Sequence, residues 1–188
     1  MYGNAGLEAL AAGVRKHDPQ AYHSLFNLYF RKMVLFAEYF LMDRDEAEDI
    51  VQEIFADLWA TAHRLPEMSN LRSYLFVQVR NRCLNSLKHL AVEDRYRQWL
   101  AEAQEYAEIE EEDIDRELVD KVYATIEELP AQARTIFKRC VLDGCKYRQV
   151  ADEMGLSVHT VNTQMKRSYK FLRDRLGASF LVILVLIS

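Results

Sequence analysis

An all-α fold is predicted by three features of the sequence. Long stretches lack Gly and Pro, apolar residues recur at helical spacing, and no strand-length run alternates apolar and polar residues between turn signals. Among 188 residues there are six Gly and three Pro. Hydrophobic residues make up 50% of the chain, enough to bury a core and too many for wholesale disorder. The length suits one ordinary domain or two small ones.

The elements can be placed in order. Pro19 opens a helix in its first turn, with Asp18 as N-cap. From Ala21 onward, Leu25, Leu28, Tyr29, Val34, Phe36, Ala37 and Phe40 suit a helix with a broad buried face. Asp43 starts a second helix, in which Ala47, Ile50, Val51, Ile54, Phe55, Leu58 and Trp59 recur at helical spacing. The segment HRLPEMSN is a loop broken by Pro66. A third helix runs roughly from Leu71 to His89, with Leu75, Val79 and Leu84 inward, and completes one compact bundle. Residues 91–117 have few apolar residues and many acids, the composition of a linker. A second unit begins near Leu118 with a helix through Glu128, a break at Leu129-Pro130, a helix through Val141 and then a helix pair.

Charge follows this organisation. The formal net charge is −5, but it is distributed in alternating blocks. Residues 43–57 carry −6, residues 64–97 carry +4, residues 102–120 carry −9 and residues 134–175 carry +6. Such blocks suit a protein that meets DNA with some surfaces and a basic partner with others. Cys83, Cys140 and Cys145 have neither C-x-x-C nor zinc-finger spacing, which favours reduced thiols in the cytoplasm over a disulfide framework. The N-terminal residues do not follow the pattern of a signal peptide. No Ser/His/Asp grouping, phosphate loop or metal cluster is present, so neither enzyme activity nor a cofactor is expected.

The strongest local signal is KYRQVADEMGLSVHTVNTQMKRSYKFLRDRL. Tyr147, Val150, Ala151 and Met154 form the buried stripe of a short helix, Gly155 makes the tight turn, Leu156 fills the corner and Ser157 caps the next helix. In that helix Val161, Met165, Ser168, Leu172 and Leu176 share one face. Ser157 at its start, with His159, Thr160, Asn162, Thr163, Lys166, Arg167 and Lys170, is the candidate surface for duplex DNA. A helix built this way suits the major groove, with its first residues at base edges and later cations on phosphates. An ordinary helical hairpin with a solvated polar face would not require the glycine turn, the small Ala151 at the crossing and the capped basic helix together.

DRDEAEDIVQEIFADLW (43–59) resembles the polymerase-binding helix of sigma factors, and NLRSYLFVQVRNRCLN (70–85) resembles their promoter-melting helix. With the helix-turn-helix, the resemblance covers nearly residues 20–176 and is to the extracytoplasmic-function (ECF) subfamily, which keeps sigma regions 2 and 4. It implies two small helical domains joined by an acidic linker: residues 1–90 as region 2, 91–117 as linker, 118–176 as region 4 and 177–188 as an apolar tail. It also implies that Asp49, Gln52, Glu53 and Asp57 meet core RNA polymerase at the clamp helices of its largest subunit, with the flap as a further contact. Asn70, Arg72, Ser73, Tyr74, Arg80, Asn81 and Arg82 would read and open the −10 element, and the helix-turn-helix would read −35 duplex. Where the family often has an acid in the first helix of that motif, this chain has Gln149.

The expected function is therefore a non-enzymatic specificity subunit that binds core polymerase, directs promoter-specific initiation and is held in check by an anti-sigma factor. The alternatives are a conventional helix-turn-helix regulator acting without polymerase core, or a sigma-like decoy. The 27 residues of the linker reach at most about 90 Å when extended. Promoter elements about 25 base pairs apart are separated by about 85 Å along the duplex, so the reach suffices. The apolar run Phe180–Ile187 is eight residues, far short of the roughly 20 that span a bilayer, and is expected to pack on the second unit or on a partner.

Overall fold

The structure is a computed structural model that describes residues 4–64, 71–88, 116–177 and 179–180. Among these residues all regular elements are helical: α1 (Asn4–Arg15), α2 (Pro19–Leu41), α3 (Arg44–Ala60), α4 (Leu71–Lys88), α5 (Arg116–Glu127), α6 (Ala131–Phe137), α7 (Tyr147–Met154) and α8 (Val158–Leu176). They form two helical units, one built from α1–α4 and the other from α5–α8. Most of the expected linker and tail lies outside the described residues.

Local chemistry sets the helix starts. Asp18 accepts a hydrogen bond from the Gln20 N–H at 2.9 Å, and Pro19 occupies the first turn, where its missing N–H costs nothing. Asp43 accepts from the N–H groups of Asp45 and Glu46 at 3.1 and 3.2 Å. Only Met42, in the left-handed conformation, and this cap separate α2 from α3, so the chain reverses tightly and the two helices pack along their length. Phe55 of α3 sits among Tyr22, Phe26 and Phe30, with ring centroids 6.1, 4.9 and 6.2 Å away. The Tyr22 hydroxyl donates to the Phe55 carbonyl at 3.0 Å. Leu75, Val79 and Leu84 of α4 are buried, as their spacing requires. The sequence reading did not place α1, yet its Leu7, Leu10, Ala11 and Val14 make a helical stripe, of which Ala11 and Val14 are fully covered.

In the second unit α6 and α7 pack on α8 around Val122, Ile126, Ile136, Phe137, Val150, Val161, Met165 and Leu172. Helix α6 continues into one π turn, Lys138–Leu142, before the helix-turn-helix. Gly155 has φ +65, and the Leu156 N–H bonds to the Ala151 carbonyl at 2.9 Å, closing the turn between α7 and α8.

The units touch along α2. Every residue from Met33 to Phe40 is buried, including Glu38, which is 2% exposed. A helix covered on all sides needs two neighbours, and here the first is the α3–α4 bundle and the second is the helix-turn-helix unit. Arg31 donates to the carbonyls of Val141 and Leu142 at 2.6 and 3.3 Å. Tyr147 donates its hydroxyl to Glu38, which also pairs with Arg44 at 3.2 Å. Arg173 donates to the Tyr39 carbonyl at 3.4 Å and stacks 5.6 Å from the Tyr39 ring centroid. Phe180, the last described residue, wedges between Tyr39 of one unit and Phe137 and Tyr169 of the other.

Two substitutions separate packing from backbone strain. Phe55→Ala should cost about 3–5 kcal/mol, read as a lower urea midpoint, because it empties an aromatic cage. Gly155→Ala meets nothing within 4 Å of its new Cβ, so its cost should be only the roughly 1–2 kcal/mol of a left-handed alanine.

Candidate polymerase and nucleic-acid interfaces

Helix α8 is anchored at its start. Ser157 Oγ accepts from the Thr160 N–H at 3.0 Å and shares a hydroxyl contact with Thr160 Oγ1 at 2.8 Å. Ser157 thus supplies the cap that fixes the helix direction, and Thr160 is tied to it. One face of α8 is buried through Val161, Met165, Ser168, Tyr169, Leu172 and Leu176. The opposite side exposes His159, Lys166, Arg167 and Lys170, with Thr160, Asn162 and Thr163 half-exposed between them. The expected DNA-facing residues therefore share one surface. Lys166 also lies 3.6 Å from Asp43, an ion pair between the two units.

The sequence reading passed over Val158, which is 46% exposed in the first turn of α8. An apolar side chain there suits contact with a thymine methyl, and its signal was an apolar residue off the buried stripe. Gln149 donates to Glu153 at 3.0 Å, and Glu153 accepts from Arg139 at 2.7 Å. The hydrogen bond from Arg139, then that from Gln149, holds the Glu153 carboxyl below its ordinary value. An acid is thus present on the outer side of α7, one turn beyond the position of Gln149.

On α3 the residues Asp49, Gln52, Glu53 and Asp57 are all exposed. Spacings of three and four residues set them along one side of the helix, above the buried Val51, Ile54, Phe55 and Leu58. Arg82 of α4 reaches across and bonds to Glu53 at 2.8 Å and to Asp57. The carboxylates of that bridge are 68% and 67% exposed, so it adds at most about 1 kcal/mol.

The expected −10 residues are less unified. Asn70 lies outside the described residues. Arg72, Ser73 and Tyr74 are half-buried, and Tyr74 packs against the core. Arg80 contacts its neighbour Asn81 at 3.3 Å, and Asn81 is exposed. Two residues apart on a helix, Arg80 and Arg82 point about 160° from one another. Arg82 consequently faces the α3 acids, while Arg80 and Asn81 stay on the outer side.

Glu38 and Arg44 form a charged pair that no motif announced. Burial raises the Glu38 carboxyl, opposed by Arg44 and by the hydroxyl of Tyr147. Burial also works against the Arg44 cation, but Glu38 and Glu48 beside it more than offset this and hold it charged. The Tyr169 hydroxyl, buried near the same carboxylate, makes no hydrogen bond of good geometry. Burial pushes the Cys140 thiol up to about 12 and raises that of Cys83, so both are protonated, inert core groups. No helix among the described residues is long and apolar enough to cross a membrane.

Residues 25–92 match the family model for sigma-70 region 2, and residues 120–172 match that for sigma-70 region 4. The chain is 24% identical over 175 residues to the ECF RNA polymerase sigma factor RpoE of Cereibacter sphaeroides, covering 90% of this chain and 94% of that protein. It is 24% identical over 180 residues to the ECF RNA polymerase sigma-E factor of Haemophilus influenzae, with coverage of 90% and 94%. A solved structure of CnrH in complex with the cytosolic domain of CnrY aligns at 20% identity and a TM-score of 0.41, over 91% of this chain and 97% of that one. With regions 2 and 4 both matched and in this order, the chain belongs to the extracytoplasmic-function sigma factors, which direct RNA polymerase to promoters.

Proposed function

We propose that the two units divide promoter recognition, with residues 1–90 binding core polymerase and the −10 element and residues 118–176 reading −35 duplex. The observation that carries this reading is the acidic side of α3, where Asp49, Gln52, Glu53 and Asp57 stand exposed over a packed apolar face. Their partners would be cations on the clamp helices of the largest polymerase subunit, with the flap meeting the second unit. Catalysis belongs to the polymerase, and this chain supplies placement and strand opening in the cytoplasm. An anti-sigma factor would act by covering the same surfaces. A regulator working without polymerase core is disfavoured, because it has no use for a region 2 unit.

In the −10 reader, Arg80 and Asn81 are the members best placed to hold a melted strand, since both lie on the outer side of α4. Arg82 can join them only by leaving Glu53 and Asp57. Its bridge is weak enough to exchange when polymerase cations take over the acids.

Reversing Asp49 and Glu53 to Lys should leave the melting temperature within a few degrees of wild type, since both side chains are exposed. It should nevertheless abolish pull-down of core polymerase, because like charges opposed across an interface cost several kcal/mol. A folded double variant that binds core normally refutes the assignment.

For α8, Lys166→Ala and Arg167→Ala should weaken binding to every duplex and each lower the salt slope by about one. Thr160→Val and Asn162→Ala should change which −35 sequence is preferred, at about 1–3 kcal/mol per altered base contact. Fluorescence anisotropy on a panel of duplexes at several salt concentrations separates the two classes. Equal losses on all sequences for all four variants would remove the base-reading role.

A further inference from the structure

Among the described residues, two that are not glycine adopt the left-handed conformation, Met42 and His17. His17, with φ +55, ends α1 in a Schellman turn. Its N–H bonds to the Val14 carbonyl at 2.9 Å, and the Asp18 N–H bonds to the Gly13 carbonyl at 3.0 Å. Glycine is the residue such a turn ordinarily carries, because a Cβ there crowds the following carbonyl. The histidine has a contact that glycine would lack. Its imidazole lies edge-on to the Trp59 ring, with centroids 5.1 Å apart and planes at 72°. Tyr22 meets the same indole at 4.9 Å. A ring pair of this kind offsets the strain of the backbone to a similar extent.

Trp59 belongs to the last turn of α3, and that turn is held from two sides. Asp57, two residues earlier and about 160° around the helix, is bonded to Arg82 of α4. On the far side, Trp59 rests on the α1–α2 corner. The corner is tightly built, since a Cβ at Gly13 would lie 2.5 Å from that of Ala21. Helix α1, with Ala11 and Val14 fully covered, also packs on α4 and on the 3-10 turn Ala62–Arg64 that follows α3. One corner thus supports both the helix proposed to dock on polymerase and the helix proposed to read the −10 element.

We propose that His17 is a positioning residue for promoter opening. Through Trp59 it holds the last turn of α3 in place while the acids of α3 exchange Arg82 for polymerase cations. The proposal rests on the division of labour argued above. Once Glu53 and Asp57 turn to polymerase, α3 loses its charged tie to α4 at that end. The contact on the opposite side is made of rings and not of acids, so polymerase cations do not compete for it. Arg80 and Asn81, on the outer side of α4, then keep their place relative to the docked α3 as the strand is melted.

The test uses the full chain, core polymerase and a duplex selected by the wild-type holoenzyme from a randomised pool. His17→Gly removes the ring and relieves the backbone, so its melting temperature should stay within a few degrees of wild type or rise. Core pull-down and −35 duplex binding should be unchanged. Opening, read as permanganate reactivity of thymines in the −10 element, should fall severalfold. His17→Tyr restores a ring and should recover most of that loss. With Trp99, the second tryptophan, replaced by Phe, emission from Trp59 should change in His17→Gly and return toward wild type in His17→Tyr. Should the glycine variant fail to fold, His17→Asn serves instead, because asparagine tolerates the left-handed region and carries no ring. A folded ringless variant that opens the duplex at the wild-type rate overturns the proposal. So does a loss that His17→Tyr does not recover, or one matched by an equal loss of core binding, which marks a general defect of the unit. Unchanged Trp59 emission overturns the contact with no polymerase or promoter involved. If the emission responds to His17 but the wild-type holoenzyme opens no selected duplex, the division of labour fails and the positioning role with it.

Discussion

Between Met33 and Phe40, α2 has no side facing water, and the arrangement of the rest of the chain follows from that. One side of the helix is satisfied within its own bundle, through Phe36 against Phe76 of α4. The other side includes Glu38 and Tyr39, which need a second body over them. Were that body absent, Leu35 and Tyr39 would stand in water and Glu38 would be an ordinary surface carboxylate. The second unit supplies a matching surface, and the carbonyls at the end of its π turn receive their donor from Arg31. Two incomplete surfaces thereby complete one another.

The charge blocks act within this frame as exchangeable partners. The −6 block of α3 pairs with Arg82 from the +4 block, and Asp43 at its start pairs with Lys166 from the +6 block. These are exposed or half-exposed pairs whose individual contributions are small. A polymerase surface with better-placed cations, or a DNA phosphate, can displace them at little cost. Opposite charges within the chain thus cover the proposed binding groups without locking them. The Glu38–Arg44 pair is different, because removing one partner would strand a buried charge.

Much of the fold was legible because its signals are local. Asp18, Asp43 and Ser157 cap helices where a short polar side chain precedes a periodic segment, and Gly155 turns where only glycine is unstrained. The buried stripe of α8 and the exposed acids of α3 follow from helical periodicity. Helix α1 is equally local in its signal, since Leu7, Leu10, Ala11 and Val14 recur at helical spacing. The seam between the two units was not legible in this way. A lone Glu within MVLFAEYF carries no indication of which distant Tyr will reach it, and Tyr169 falls between the buried and polar stripes of α8. Likewise, the R-N-R run at 80–82 looks like one basic patch in sequence, but helical geometry sends its two arginines to different neighbours.

The recognition helix shows why these levels have to agree. Its reading face works only if its other face is fixed, and Met165, Tyr169 and Leu172 do this from within the second unit. Those residues alternate along α8 with the cations proposed to meet DNA, while Tyr169 and Arg173 also meet α2. The same helix therefore presents the proposed DNA-reading groups on one side and seam groups on another, about a quarter turn away. Lys166 sits on the boundary and can serve either side, but not both at once. Arg167, Lys170 and His159 remain exposed beside the seam, so contact between the units leaves most of the polar face of α8 open to solvent.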